Sequence, residues 1–527
     1  MGFDGGEAAL RYHEATKHSE LTLRMSAHYL DWNNKPSPFK AYKNLPSIPL
    51  PHEFPHPTQE SLRTIKSQDS LGTSRPVDLQ KLAEILFFSG GITRKMRIGS
   101  ETHYMRAASA TGALYPIELY VVSFSISGLD AGVYHFNPLG FSLAKIRDGD
   151  YSSKLGAITR EAARSSSATI VLTSLAWRNA WKYEARSYRH WFWDAGVMAA
   201  NLLATCYSET VPARILMGFI DKEVDQLLGL RQEQEATVAL ATIGQRTTTQ
   251  DKQEPTEVSQ LSLEDEPLSK EEVEYPVIWE TNRASELHSE AEIGLWRNSL
   301  KPGPAIAGPH GPTFPLRPSV KNSPPLEEVV LRRGSTRRFA QKSISFEALS
   351  TIIDAATSPL PLDFLSNDDS LTEFYFIAND VDELPPGAYY FDRGTKSLEQ
   401  LKEGKLRYVS GYLCLEQLLF SDASVVFFLM TDLYRVLEPL GSRGYRAAEF
   451  EAGLRAGKIY LSAYALGIGA SGSTFYDDAV TEFFSPHSRN MSPMIAVGAG
   501  VPAYSARPGR ILPQFEASHK SRKPKTV

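Results

Sequence analysis

The chain has 527 residues, 42% of them hydrophobic and 22% charged, with a formal net charge of −5 and a pI near 6.2. That length allows two or more domains with substantial cores, and the charge balance gives no electrostatic basis for nucleic-acid binding. Two cysteines, Cys206 and Cys414, are too few for a disulfide framework or a zinc site. They point to a reducing, cytoplasmic compartment. No apolar run reaches membrane-spanning length, and the N-terminal stretch lacks the basic-then-apolar pattern of a secretion signal.

In chain order, residues 1–70 are rich in His, Pro and Asn and read as an extended arm laid over a surface. A helix is predicted over Val77–Ser89, stopped by Gly90-Gly91. A loop follows, then a strand over Ile117–Ser125, a hairpin-like unit over Gly132–Asp150 and a strand over Ala168–Leu175. Next comes Tyr188–Ser208, YRHWFWDAGVMAANLLATCYS, whose apolar and small residues recur at three- and four-residue steps. This spacing predicts a buried helix with Ala and Gly on its contact stripe, where a second backbone can approach closely. A strand over Thr237–Ile243 closes the first half.

The second half repeats this order. Tyr445–Ala465 (YRAAEFEAGLRAGKIYLSAYA) matches the first long helix at an offset of 257 (445 − 188), and Gly387–Lys405 matches Gly132–Asp150 at 255 (387 − 132). Ala423–Met430 and Met494–Gly498 repeat the two later strands. The fold class that follows is α+β, as two tandem domains that form an intramolecular pseudo-dimer. Domain 1 spans 71–244 and domain 2 spans 326–516. Between them, 245–325 has a Glu/Ser/Thr/Pro-rich composition that predicts a largely irregular linker, in which Tyr275–Glu280 and Ile293–Trp296 could dock. Residues 517–527 read as a frayed basic tail.

Three stretches carry chemistry. Leu331–Phe339 reads LRRGSTRRF, in which Arg333 and Arg337 flank Ser335. The two guanidinium groups could grip a phosphate, and the stretch could equally be a solvated basic turn. The first half carries Ser109-Ala-Thr-Gly112-Ala-Leu-Tyr115-Pro116. Just before its long helix stands KYEARSYR, Lys182 to Arg189. A half-desolvated Lys182 could act as a base, or it could cover a helix start with its stem. His13 and His18 lack further ligands and read as structural or docking residues rather than a metal site.

Taken together, RRGSTRRF, the Gly-Ala-Leu-Tyr-Pro loop and the paired Tyr-Arg…Ala-Gly helices resemble the nitroreductase superfamily. Within it they resemble the branch of SagB/ThcOx-type azoline dehydrogenases. The resemblance implies FMN at the interface of the two halves. Arg333, Ser335 and Arg337 would bind phosphate and ribityl, and Arg510 would add a late phosphate ligand. Ser109, Ala110, Thr111 and Gly112 would line the flavin ring, and a turn of Gly469, Ser471, Gly472, Ser473 and Thr474 would present donors near its N5 side. The second copy has ATSPLPLDF in place of the serine loop, and the first has SLGTSRPVD, with Arg75 alone, in place of the arginine signature. One composite site remains.

In azoline dehydrogenases a Lys-Tyr pair in a similar context is catalytic, which points to Lys182 and Tyr183, with the hydride passing to flavin N5. Val197 departs from the His usual after Ala-Gly in that branch. The expected substrate is a small molecule or peptide, with a cyclodehydratase and precursor peptide as partners. The expected assembly is a pseudo-dimeric monomer or a higher homo-oligomer. Two other readings stay open: an NAD(P)H-driven nitro- or quinone-type reductase, and a non-enzymatic scaffold on a degenerate fold.

Overall fold

The computed structural model of the protein describes residues 4–67, 76–99, 101–246, 257–300, 311–319, 322–366, 369–505 and 509. In chain order the first-half strands are β1 (Ser47–Pro49), β2 (Ile92–Ile98), β3 (Glu101–Arg106), β4 (Ile117–Ser123), β5 (Gly132–Asn137), β6 (Ser142–Asp148), β7 (Ala168–Leu175), β8 (Ala213–Leu216) and β9 (Glu235–Ile243). Those of the second half are β10 (Thr313–Pro315), β11 (Glu373–Ala378), β12 (Gly387–Asp392), β13 (Ser397–Glu403), β14 (Val425–Thr431), β15 (Gly469–Ser473) and β16 (Ser492–Gly500). One sheet runs β1-β6-β5-β4-β7-β9-β8 and the other β10-β13-β12-β11-β14-β16-β15, the same path strand for strand. All these pairings are antiparallel. The central strands β7 and β14 are buried along their whole length, which is why they read as unbroken apolar runs. The β2–β3 hairpin stands outside both sheets.

The two long helices, Ser187–Ser208 and Leu433–Ala465, pack against each other through the middle of the molecule. They cross at the two glycines that the repeat aligns. A Cβ on Gly196 would lie 2.4 Å from the Phe450 carbonyl oxygen, and one on Gly453 would lie 2.6 Å from that of Trp193. Backbone meets backbone here, so neither position can carry a side chain without parting the helices.

Buried ionic clamps lock the crossing from both ends. Arg186 and Arg189 of the first half donate to Asp477 of the second, at 2.9 and 2.8 Å. Arg443 and Arg446 of the second half donate to Asp221 of the first, at 2.6 and 2.7 Å. The offsets are again 257 for the arginines (443 − 186, 446 − 189) and 256 for the aspartates (477 − 221). Each clamp is completed by the C-terminal end of a short helix. Arg189 Nη2 donates to His13 O at 2.9 Å and Arg186 donates to Thr16 O at 2.5 Å, at the end of helix Glu7–Ala15. Arg446 Nη2 donates to Asn282 O at 2.7 Å and Arg443 to Ser285 O at 2.9 Å, at the end of helix Pro276–Ala284. A cation at a helix C-terminus and an aspartate at the first turn of the next helix both complement the helix dipoles.

These helices differ from the reading by composition. The arm over 1–70 is not merely extended: Ala9, Tyr12 and His13 are fully buried, and Tyr12 sits between Tyr188 and Tyr445 with centroid distances of 5.3 and 5.8 Å. Within the connection predicted as largely irregular, the two stretches read as able to dock do so as helices, Pro276–Ala284 and Glu290–Ser299, through Ile278, Trp279, Ile293 and Trp296. Pro276–Ala284 is the second half's counterpart of the N-terminal helix, so the duplicated unit begins well before residue 326. Short helices held by a few large anchors and by buried arginines do not raise local hydrophobicity enough to register in composition.

Asp477→Ala leaves two buried guanidinium groups without their carboxylate. It is expected to cost about 3–5 kcal/mol, read as a lowered midpoint in urea-induced unfolding.

Candidate active site

Helix Ala176–Tyr183 ends at Glu184, which adopts φ 49° and ψ −141° before the chain turns into the central helix. The aligned residue of the second half (441 − 184 = 257) is Gly441, at φ 59° and ψ −163°. Glu184 thus holds a conformation that its counterpart reserves for glycine, directly after Lys182 and Tyr183. Surrounding bonds fix the break: Tyr12 Oη donates to Ala185 O at 2.7 Å and Trp181 Nε1 to Asp31 O at 3.0 Å.

Tyr183 packs edge-on against His190, centroids 4.5 Å apart, and its hydroxyl lies 2.8 Å from where a Cβ of Gly112 would stand. Gly112, at φ 62°, is therefore needed both for its backbone and for its empty side-chain position. Burial, then the charge of Asp194, push the Tyr183 hydroxyl up and keep it protonated. Lys182 is half-buried and shifted the other way: burial first, then the positive charge of Arg337, lower its pKa. Arg337 belongs to the second half, so the two halves meet electrostatically at this lysine.

Beneath the loop lies Asp194. Its carboxylate accepts Thr111 N at 2.9 and 3.0 Å and Thr111 Oγ1 at 2.8 Å. Burial raises it to about 7. Ser109, Ala110 and Thr111 remain partly exposed above it.

Arg333 does not present an open fork. Its Nε donates to Ala107 O at 2.8 Å and its Nη2 to Arg106 O at 2.9 Å, so most of the guanidinium ties the second half to the root of the first half's loop. Tyr460 Oη lies 3.5 Å from Ser335 Oγ and accepts Gly472 N at 2.5 Å. Thr336 N donates to Ala470 O at 2.8 Å. The residues expected to form a glycine-rich turn are mostly strand: Gly469–Ser473 is the edge strand β15, paired with β16. Small side chains permit this, because a Cβ on Gly469 would strike Thr336 Oγ1. Thr474 Oγ1 is buried without a hydrogen-bond partner among the described residues. The guanidinium-bearing residue Arg337 is exposed, and its backbone N–H donates to Tyr504 Oη at 3.0 Å. Arg510 and Arg75 lie outside the described residues, although Gly509 N donates to Leu331 O at 2.6 Å.

The structure thus gathers Thr111, Gly112, Lys182 and Tyr183 in one place, with the charge of Arg337 reaching them. Ser335 and the β15 edge are joined through Tyr460. Asp194, His190 and Tyr460 were not singled out from the sequence. Asp194 carried a signal: an acidic residue precedes Ala-Gly in both helices, Asp194 in one and Glu451 in the other.

Two antiparallel sheets around paired central helices, with a loop of one half facing an arginine segment of the other, define a duplicated α+β fold whose two units face each other within one chain. The Nitroreductase family profile matches residues 73–245 and 330–498, and the chain belongs to the nitroreductase family. The crystal structure of a nitroreductase-like protein from Anabaena variabilis superposes with a TM-score of 0.75 at 26% identity, covering 94% of this chain and 99% of that one. A nitroreductase-like protein of Methanocaldococcus jannaschii is 26% identical over 161 residues, 30% of this chain and 78% of its own length. The trifolitoxin-processing protein TfxB of Rhizobium leguminosarum is 33% identical over 129 residues, 22% of this chain and 35% of its own length. No helix among the described residues is long and apolar enough to cross a membrane.

Two outcomes follow from the geometry. Glu184→Gly relieves the left-handed strain and is expected to stabilise the protein by roughly 1 kcal/mol net of glycine's greater unfolded-state freedom, seen as a raised urea midpoint. Asp194 has a folded pKa above its unfolded one, so its stabilising contribution is full below about pH 4 and is lost as pH rises through about 7. The stability difference between Asp194→Asn and the parent is therefore expected to shift across that window by on the order of 1.4 kcal/mol per pH unit at most.

Proposed function

We infer that the protein is an FMN-dependent oxidoreductase that dehydrogenates an azoline ring, turning a thiazoline or oxazoline into a thiazole or oxazole. The observation that carries this reading is the half-buried Lys182 beside Tyr183, its Nζ 5.2 Å from that ring's centre, with burial and then Arg337 lowering its pKa. It stands beside a Tyr183 hydroxyl biased toward its protonated form. The partial likeness to TfxB, named for processing trifolitoxin, supports a role in processing a larger product, which a peptide-borne heterocycle would fit. A cyclodehydratase and a precursor peptide are then the natural partners.

The residues present fit a phosphate-bearing flavin. Arg337 offers a cation at the surface, Ser335 a hydroxyl, Thr474 an orphaned buried oxygen, and Gly112 an exposed backbone that lets the Tyr183 hydroxyl approach. The remaining Nη1 of Arg333 can join them. Bound FMN supplies the two-electron acceptor that aromatising the ring requires. Oxidation of an azoline also releases a proton from ring carbon, and Lys182 Nζ would take it. Tyr183 Oη, a donor held over Gly112, orients the ring heteroatom, and Asp194 holds Thr111 and so the loop that closes the site.

Lys182→Met is expected to keep its flavin absorbance and to reduce that flavin about a hundred- to ten-thousand-fold more slowly with an azoline substrate, followed by single-turnover absorbance. Tyr183→Phe should cost less, because the ring stays packed on His190. A Lys182→Met protein that reduces its flavin at the parent rate ends the base assignment. Rapid reduction by NAD(P)H would favour the reductase reading, and a protein that takes up no flavin would favour a scaffold.

A further inference from the structure

The offset that relates the halves places a counterpart of the candidate site at the other end of the paired helices. Asp194 maps to Glu451 (451 − 194 = 257), Asn201 to Lys458 (458 − 201 = 257), and the edge strand β15 to β8 (471 − 215 = 256). Glu451 does for the second half what Asp194 does for the first, accepting Leu371 N at 2.8 Å and Ser370 Oγ at 2.6 Å. The space between loop and edge strand is where the two ends differ.

At the first end, among the described residues, no hydrogen bond joins the loop 109–115 to Gly469–Ser473. At the other end the chain itself bridges this gap. Ile215 N donates to Pro361 O at 2.9 Å and Asp363 N donates to Ile215 O at 3.2 Å, so Leu362 pairs in parallel with β8 and continues the first sheet by one more rung. The Asp363 carboxylate then accepts Met217 N at 2.8 Å, Gly218 N at 3.1 Å and Arg297 Nε at 2.7 Å. Leu362 and Phe364 are buried, and Phe364 lies against Trp296 at 5.2 Å. Lys458 is buried as well and donates to Ser358 Oγ at 2.7 Å. Backbone pairing at Leu362 and the packing of Phe364 on Trp296 fill the edge of β8 with protein.

We propose that the protein holds a single flavin, at the Lys182–Arg337 end, and that Pro361–Leu362–Asp363 have converted the equivalent site into a structural joint between the second half and the first sheet. This rests on the flavin reading above. The joint replaces a ligand by protein: the sheet edge that would border a bound ring is satisfied by backbone, and the carboxylate of Asp363 caps the buried amides of Met217 and Gly218 just beyond it.

The test is the flavin-to-chain ratio after reconstitution with excess FMN and gel filtration, measured by flavin absorbance against amino-acid quantitation. One flavin per chain is expected. Two would overturn the joint, and none would overturn the cofactor reading instead. Arg337→Ala is expected to weaken FMN binding about tenfold or more; unchanged binding would place the flavin elsewhere and overturn the proposal. Asp363→Ala is expected to keep the ratio at one and to lower the urea midpoint. An unchanged midpoint would overturn Asp363 as part of the joint, and a ratio of two in that variant would overturn the backbone pairing at Leu362 as what closes the site. Circular dichroism of each variant separates loss of binding from loss of fold.

Discussion

Gly196 and Gly453 let two helix backbones touch, and the rest of the molecule is arranged around that contact. Once the helices cross at van der Waals distance, their arginines can reach past one another into the opposite half. Asp477 and Asp221 are the groups they find there. The clamps bury four guanidinium groups against two carboxylates, which is tolerable because helix C-terminal carbonyls and threonine, serine and asparagine side chains take most of the remaining donors, Arg186 Nε being left unpaired among the described residues. Sheets, arms and loops then hang on a frame whose geometry is fixed by backbone contact rather than by adjustable side chains.

The same frame sets the chemistry. Its crossing brings Arg337 of one half within electrostatic reach of Lys182 of the other. Arg333, expected from the resemblance as a phosphate ligand, donates mainly to carbonyls of the facing loop. The arginine signature is thus split between joining the halves and facing the site. Glu184 makes a related point: its strained backbone sits where the second half uses Gly441, so strain is retained at the end that carries Lys182 and Tyr183.

Much of this was legible in the residues. The repeat of Tyr-Arg…Ala-Gly gave both central helices and their contact stripe, and strands such as Ala168–Leu175 were read to the residue. The start of the second unit was not, because Pro276–Ala284 lies in a stretch whose Glu and Ser content resembles a linker. A signal was present: His-Ser-Glu at 18–20 recurs at 288–290 (288 − 18 = 270), and Ser19 and Ser289 cap aligned helices. Three residues against a divergent background are easily passed over. Within the site, Lys182, Tyr183 and Thr111 were visible because their neighbours form a pattern. His190 and Tyr460 sit on helix faces that look like ordinary core, and only the packing separates a residue facing a site from one facing a neighbour.

The segment that joins the halves has a consequence for how the assembly behaves on dilution. Two separate subunits with this interface would part at low concentration, whereas tethered halves face each other at an effective concentration of about millimolar. A substitution is also expressed once rather than twice. One end of the molecule can therefore harden into scaffold while the other drifts toward new chemistry, a division of labour that strict twofold symmetry forbids.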